Sequence, residues 1–157
     1  MALIVGVSLA GGGAGGRIPL SAQRVAAIAR ATLKSERVRD ALVSVTFVSR
    51  HTIRAMNRAH LRRDRPTDVI AFPFQPMRIG ARRRVIVGDV YISPEVARAS
   101  ARFAGVSARE EITRLVVHGT LHVLGHEHPE RGDRTRSAMW KKQERLVKRL
   151  RGTRAGA

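Results

Sequence analysis

The segment His118-Gly-Thr-Leu-His122-Val-Leu-Gly125-His-Glu-His128 constrains this chain more than any other stretch of its 157 residues. Two histidines four apart on a helix project from one face, close enough to share an ion. Gly125 is placed to adopt the left-handed conformation that ends a helix and turns the chain back. That return brings His128 toward the same point. Three neutral imidazoles with an open fourth position are the ligand set of a catalytic zinc rather than a structural one. The chain has no cysteine, so a disulfide framework, a thiolate site and a cysteine nucleophile are all excluded. A metal here must be held by His, Asp or Glu. The expectation is one zinc ion per chain on His118, His122 and His128, with His126 outside the set.

Charge narrows the partners. Lys and Arg number 30 against 12 acidic residues, a formal net charge of +18, while 43% of residues are hydrophobic. That composition can bury a core and is not that of a disordered chain. A charge of this size on one small domain attracts polyanions over long range, and nucleic acid is the expected partner. The competing reading is a surface loaded with arginine that is merely solvated. The apolar stretch from Ala2 to Ala10 has no cation ahead of it and is far shorter than the roughly 20 residues that span a bilayer. No membrane association is expected, and the default compartment is the cytoplasm.

Periodicity predicts one domain over 1–151, with 152–157 as a tail. Strands are expected at about 4–7, 41–48, 68–72 and 85–92, where β-branched residues alternate or run together. Helices are expected at about 21–36, 49–61, 93–103, 107–125 and 133–151, from apolar spacing and from caps at Ser21, Ser93 and Ser107. The stretch 75–84, with Pro76, Gly80 and three consecutive arginines, reads as a polar loop. The last helix carries Met139, Trp140, Gln143, Leu146, Val147 and Leu150 along one side. Its other side is almost wholly basic, and Lys141, Lys142, Lys148 and Arg149 are expected to bind RNA phosphates there.

Two motifs are set aside on chemical grounds. Residues 11–16 satisfy G-x-G-x-x-G, but Arg17-Ile-Pro-Leu20 intervenes before a helix can begin, and no acid closes a second strand about 20 residues on. No nucleotide cofactor is expected. The spacing H-x3-H-x2-G-x2-H is shared with metzincin metalloproteases, whose first histidine is followed by a Glu base. Gly119 stands there instead, so proteolysis is not expected. A Gly119→Glu substitution is expected to put a carboxylate beside the ion.

The 118–128 segment resembles the H-G-x-L-H-L-x-G-x-D-H signature of the YbeY family, metal-dependent endoribonucleases described as rRNA maturation factors. Met56-Asn57 with Asp64-Arg-Pro-Thr-Asp-Val-Ile-Ala-Phe-Pro73, and Gly88-Asp-Val-Tyr-Ile-Ser93, are similar to two further family segments in the same order. The resemblance implies an α+β fold: a single small domain with a mixed four-stranded sheet, about five helices and a metzincin-like metal-binding helix and turn. It implies a zinc-dependent single-strand endoribonuclease acting in rRNA processing and ribosome maturation. The implied partners are ribosomal RNA or a ribosomal subunit, with ribosomal proteins besides.

Glu127 replaces the family's usual Asp. The family's arginine after an aromatic residue is displaced: His60 and Leu61 occupy those positions, and Arg62 and Arg63 follow as the nearest phosphate-binding candidates by analogy. No general base is identified. Asp68, Asp89 and Glu127 are candidates to accept imidazole N–H groups, with structural hydrogen bonding the favoured reading for each. The alternative function is a non-catalytic RNA-binding ribosome assembly factor whose zinc is architectural.

Overall fold

In the computed structural model, residues 1–10, 17–61, 67–127 and 132–151 are described. The chain runs β1 (Ala2–Leu9), α1 (Ala22–Ser35), β2 (Asp40–Phe47), α2 (Arg50–Leu61), β3 (Val69–Pro73), β4 (Met77–Ile79), β5 (Arg83–Ile92), α3 (Pro94–Ala104), α4 (Ala108–Val123), a 3-10 turn (Arg134–Arg136) and α5 (Ala138–Arg151). The sheet order is β1-β2-β5-β3, with β4 pairing β5 beside that path. β1, β2 and β5 are mutually parallel, while β3 and β4 run antiparallel to β5. The fold is α+β with a mixed sheet, as expected, but the sheet has five strands rather than four. The added strand, β4, falls inside the stretch read as a loop. Met77 pairs with Val85 and Ile79 with Arg83, and Gly80 turns the hairpin at φ +66°.

Three expected helix caps form. Ser21 accepts from the Arg24 amide, Ser93 from Val96 and Ser107 from Glu110, each satisfying one orphan donor of a first turn. The last helix starts later than expected. Asp133 caps a 3-10 turn, and the Ser137 hydroxyl then accepts the Trp140 amide at 3.2 Å as α5 begins.

α4 is the spine of the molecule. It packs on α1, α3 and α5 and on strands β3 and β5, and most of its residues are buried. Its approach to the sheet is set by two glycines. A Cβ at Gly119 would lie 2.5 Å from a methyl of Val90, and one at Gly88 would lie 2.4 Å from a methyl of Val123. Helix and sheet are therefore closer than two alanines would allow. On this side Val43, Val45, Val90 and Ile92 join Ile112, Val116 and Leu121 in the main core. On the other side α2 lays Ile53 and Met56 over Ile70, Phe72 and Tyr91. No helix among the described residues is long and apolar enough to cross a membrane.

Candidate metal centre and its cleft

α4 ends as its glycine requires. Gly125 has φ +93°, its amide donates to the His122 carbonyl at 2.9 Å, and the His126 amide donates to Leu121 at 3.0 Å. The left-handed turn read from the sequence is present, and the helix delivers His118 and His122 on one face. Their rings meet edge to face with centroids 4.5 Å apart, and their Nε2 atoms stand 3.0 Å from each other. Two nitrogens bound to one tetrahedral zinc at 2.0–2.1 Å would be about 3.3 Å apart. The pair is within a few tenths of an ångström of that spacing.

A third residue fixes the chemistry of the first histidine. Gln143 of α5 is 1% exposed, and its Oε1 lies 2.6 Å from His118 Nδ1. Its Nε2 donates to Glu144 at 3.3 Å, which settles which end of the amide faces the ring. An amide oxygen can only accept, so His118 carries its proton on Nδ1 and presents the lone pair of Nε2 to His122. A contact of 3.0 Å between these two Nε2 atoms is then bridged by one shared proton or one shared cation. The donor set fits a zinc ion: neutral imidazole nitrogen, correct tautomer, and a hydrogen bond from the far side of the ring.

His128, Arg62 and Arg63 lie outside the described residues, and among the described residues no group of three His, Asp or Glu side chains stands together as a metal site. His126 is turned elsewhere. Its Nε2 lies 2.7 Å from Glu36 at the end of α1, and Lys142 holds the same carboxylate at 3.1 Å. Burial raises the Glu36 pKa, but the Lys142 and His126 hydrogen bonds outweigh it, and the net shift is downward. Lys142 is thus tied into the fold rather than presented with Lys141 and Lys148.

The three acids considered as imidazole partners divide. Asp89 accepts from Ser44 at 2.6 Å on the sheet face away from α4, so it is structural. Glu127 is exposed. Asp68 lines the same cleft as His118, and burial pushes its carboxyl above the ordinary range despite hydrogen bonds from two backbone amides. The cleft has a volume of about 660 Å³ and is also lined by Val69, Arg114, Arg134, Trp140 and Gln143.

In its wall, Arg114 is forked across Glu144, Glu111 and Glu110 at 2.6, 2.9 and 3.2 Å. Burial works against the cation, but these carboxylates hold it charged, with its pKa raised. Glu144 therefore serves the centre indirectly: Arg114 fixes Glu144, Glu144 orients Gln143, and Gln143 sets the His118 tautomer. Replacing Gln143 by leucine removes the last of these links at similar volume. Zinc affinity, measured by competition with a chelator, is expected to fall about 10–100-fold, the range for partners that orient a metal ligand.

Sequence reasoning missed Gln143 as a site residue, although it stood in view as the one amide on an otherwise apolar stripe. A buried polar side chain needs a partner, and that signal pointed to His118.

The structure defines an α+β protein whose chemistry-bearing groups are an imidazole pair at the end of a buried helix, facing a cleft. A family model described as Endoribonuclease YbeY matches residues 17–151, and the chain belongs to that family. The endoribonuclease YbeY of Persephonella marina is 38% identical over 109 residues, 69% of this chain and 70% of that protein. That of Geobacter metallireducens is 32% identical over 130 residues, 83% of this chain and 87% of its own length. The solution structure of TM1509 from Thermotoga maritima superposes with a TM-score of 0.59 over 95% of this chain and 90% of that one, at 23% identity. At that identity the likeness is one of fold.

Proposed function

We propose that this chain is a zinc-dependent endoribonuclease that cuts single-stranded RNA and acts in the cytoplasm in rRNA processing and ribosome maturation. The observation that carries the reading is the His118–His122 pair with its tautomer set by Gln143, beside a cleft in a chain of net charge +18. The zinc ligands in this reading are His118, His122 and His128. Bound there, zinc supplies Lewis acidity toward a phosphoryl oxygen and a water whose pKa falls toward 7.

The chain's own residues supply the rest. Gln143 keeps the His118 lone pair aimed outward. Arg134 at the cleft wall offers a guanidinium to a phosphate, a role that Arg114 cannot take while three carboxylates hold it. Of the acids lining the cleft, Glu111 and Glu144 are held by Arg114, and Asp68, its carboxyl raised by burial, is the one placed to take or return a proton. The proposed partners are ribosomal RNA within a ribosomal subunit and the ribosomal proteins beside it.

A covalently closed single-stranded RNA tests the activity, because only an endonuclease can open a circle. Zinc-loaded protein is expected to linearise it and then shorten it, and a chelator is expected to stop both. RNA binding without opening of the circle would favour the non-catalytic assembly factor with an architectural zinc.

A further inference from the structure

The hairpin of β4 and the first residues of β5 has a face that its own fold does not explain. Arg78 and Arg84 are directly paired across the ribbon, and like charges directly opposite each other destabilise a strand pair. Arg82 lies between them at the turn. All three are exposed, and from Val69 to Gly88 the sequence contains no acidic residue. The fourth arginine, Arg83, points to the other side and is held by Asp40 at 2.7 Å. Among the described residues no acid pairs with Arg78, Arg82 or Arg84.

The position of this face matters as much as its charge. Alternate residues of a strand share a side. In β5 Gly88 and Val90 meet Val123 and Gly119 of α4, and Ile86 packs against the same core. Arg84, and with it Arg78, is next on that side. α4 runs antiparallel to β5 along this line, with Gly119 at Val90 and Val123 at Gly88. The basic face therefore continues the line of α4 beyond its histidine-bearing end, on the same side of the sheet. From Gly88 to Arg84 is about 13 Å at ~3.3 Å per residue, within the reach of a few nucleotides.

We infer that Arg78, Arg82 and Arg84 bind the phosphates of a single RNA strand that passes from the His118–His122 centre across the β4–β5 hairpin. The inference rests on the RNA-cleaving reading above and adds where the strand runs. Two facing guanidiniums that repel each other in the free protein become a bidentate clamp once a phosphodiester lies between or across them.

The test uses the full chain loaded with zinc and a labelled single-stranded oligoribonucleotide. In the Arg78→Gln, Arg82→Gln, Arg84→Gln variant, the slope of log affinity against log salt is expected to decrease by about 2, since each single-strand phosphate contact contributes about 0.7. KM for cleavage should rise with kcat little changed, and zinc content should stay at the unaltered level. The melting temperature of the RNA-free variant should hold or rise, because a repulsive pair has been removed.

A charge-matched control, Arg39→Gln with Arg50→Gln and Arg102→Gln, takes exposed arginines from the α1–β2 turn, α2 and α3. A slope change in the hairpin variant no larger than in this control would overturn the assignment, since bulk charge alone would explain it. Were the unaltered protein to bind and cut RNA while the hairpin variant did so with the same slope and KM, the hairpin assignment alone would fall. Absence of any RNA binding by the unaltered, zinc-loaded protein would overturn both readings.

Discussion

Gly119→Ala is expected to destabilise the protein by about 2 kcal/mol, although alanine is the better helix former. The gain in helix propensity is about 1 kcal/mol. Against it stands a new methyl 2.5 Å from Val90 Cγ1 and 3.3 Å from Val69 Cγ2. Val90 is fully buried and β-branched, so it cannot swing away. Overpacking of this kind costs typically 1–3 kcal/mol, and contacts this short belong at or above the upper end. The melting temperature should drop by about 4–8 °C for a chain of this length. Trimming the obstacle should restore it: in a Val90→Ala background the same substitution should cost at least about 1 kcal/mol less.

Gly119→Glu is a more severe case, and it corrects the expectation drawn from the protease motif. Position 119 faces the sheet, so a glutamate there would enter the core against Val90 rather than stand beside an ion. Burying an unpaired carboxylate in that core would use up much of the 5–15 kcal/mol by which domains are stable. Most of this variant should be recovered unfolded or aggregated. A soluble Gly119→Glu protein with unaltered melting temperature would show that α4 does not lie on the sheet as described.

The second large effect is on metal. His118→Ala with His122→Ala should abolish zinc retention through desalting, while the circular dichroism spectrum is kept. Both histidines are only partly buried, and alanine favours the helix. Each single variant should lose more affinity than Gln143→Leu, because removing a ligand must exceed the 10–100-fold typical of removing its support. His126→Ala should leave zinc content unchanged, since that ring is spent on Glu36. Full zinc occupancy in the double variant would place the metal elsewhere.

Much of this was legible from local signals. The serine caps, the α2 boundaries, the left-handed Gly125 and the facing of His118 and His122 all depend on residues within a turn of one another, and each was read correctly. What escaped depends on partners in other elements of the fold. β4 becomes a strand because Met77 and Ile79 find Val85 and Arg83, and the alternation of Met77-Arg78-Ile79, three residues just after Pro76, is too short to announce it. Gly119 was read as a base that is missing, when its reason is the closeness of Val90, a neighbour 29 residues away. Lys142 was counted with the RNA-binding face, but Glu36, at the far end of another helix, claims it. Gln143 was noticed on the apolar side of its helix, yet its meaning required His118 opposite.

The most direct test of the account is a zinc titration of metal-stripped protein, following cleavage of a single-stranded RNA and bound zinc in the same samples. Cleavage should be absent without zinc, rise in proportion to zinc bound, and level off at one ion per chain. Cleavage by the stripped protein at the full rate, or a plateau reached with no zinc bound to the unaltered chain and equally in the His118→Ala, His122→Ala variant, would contradict it.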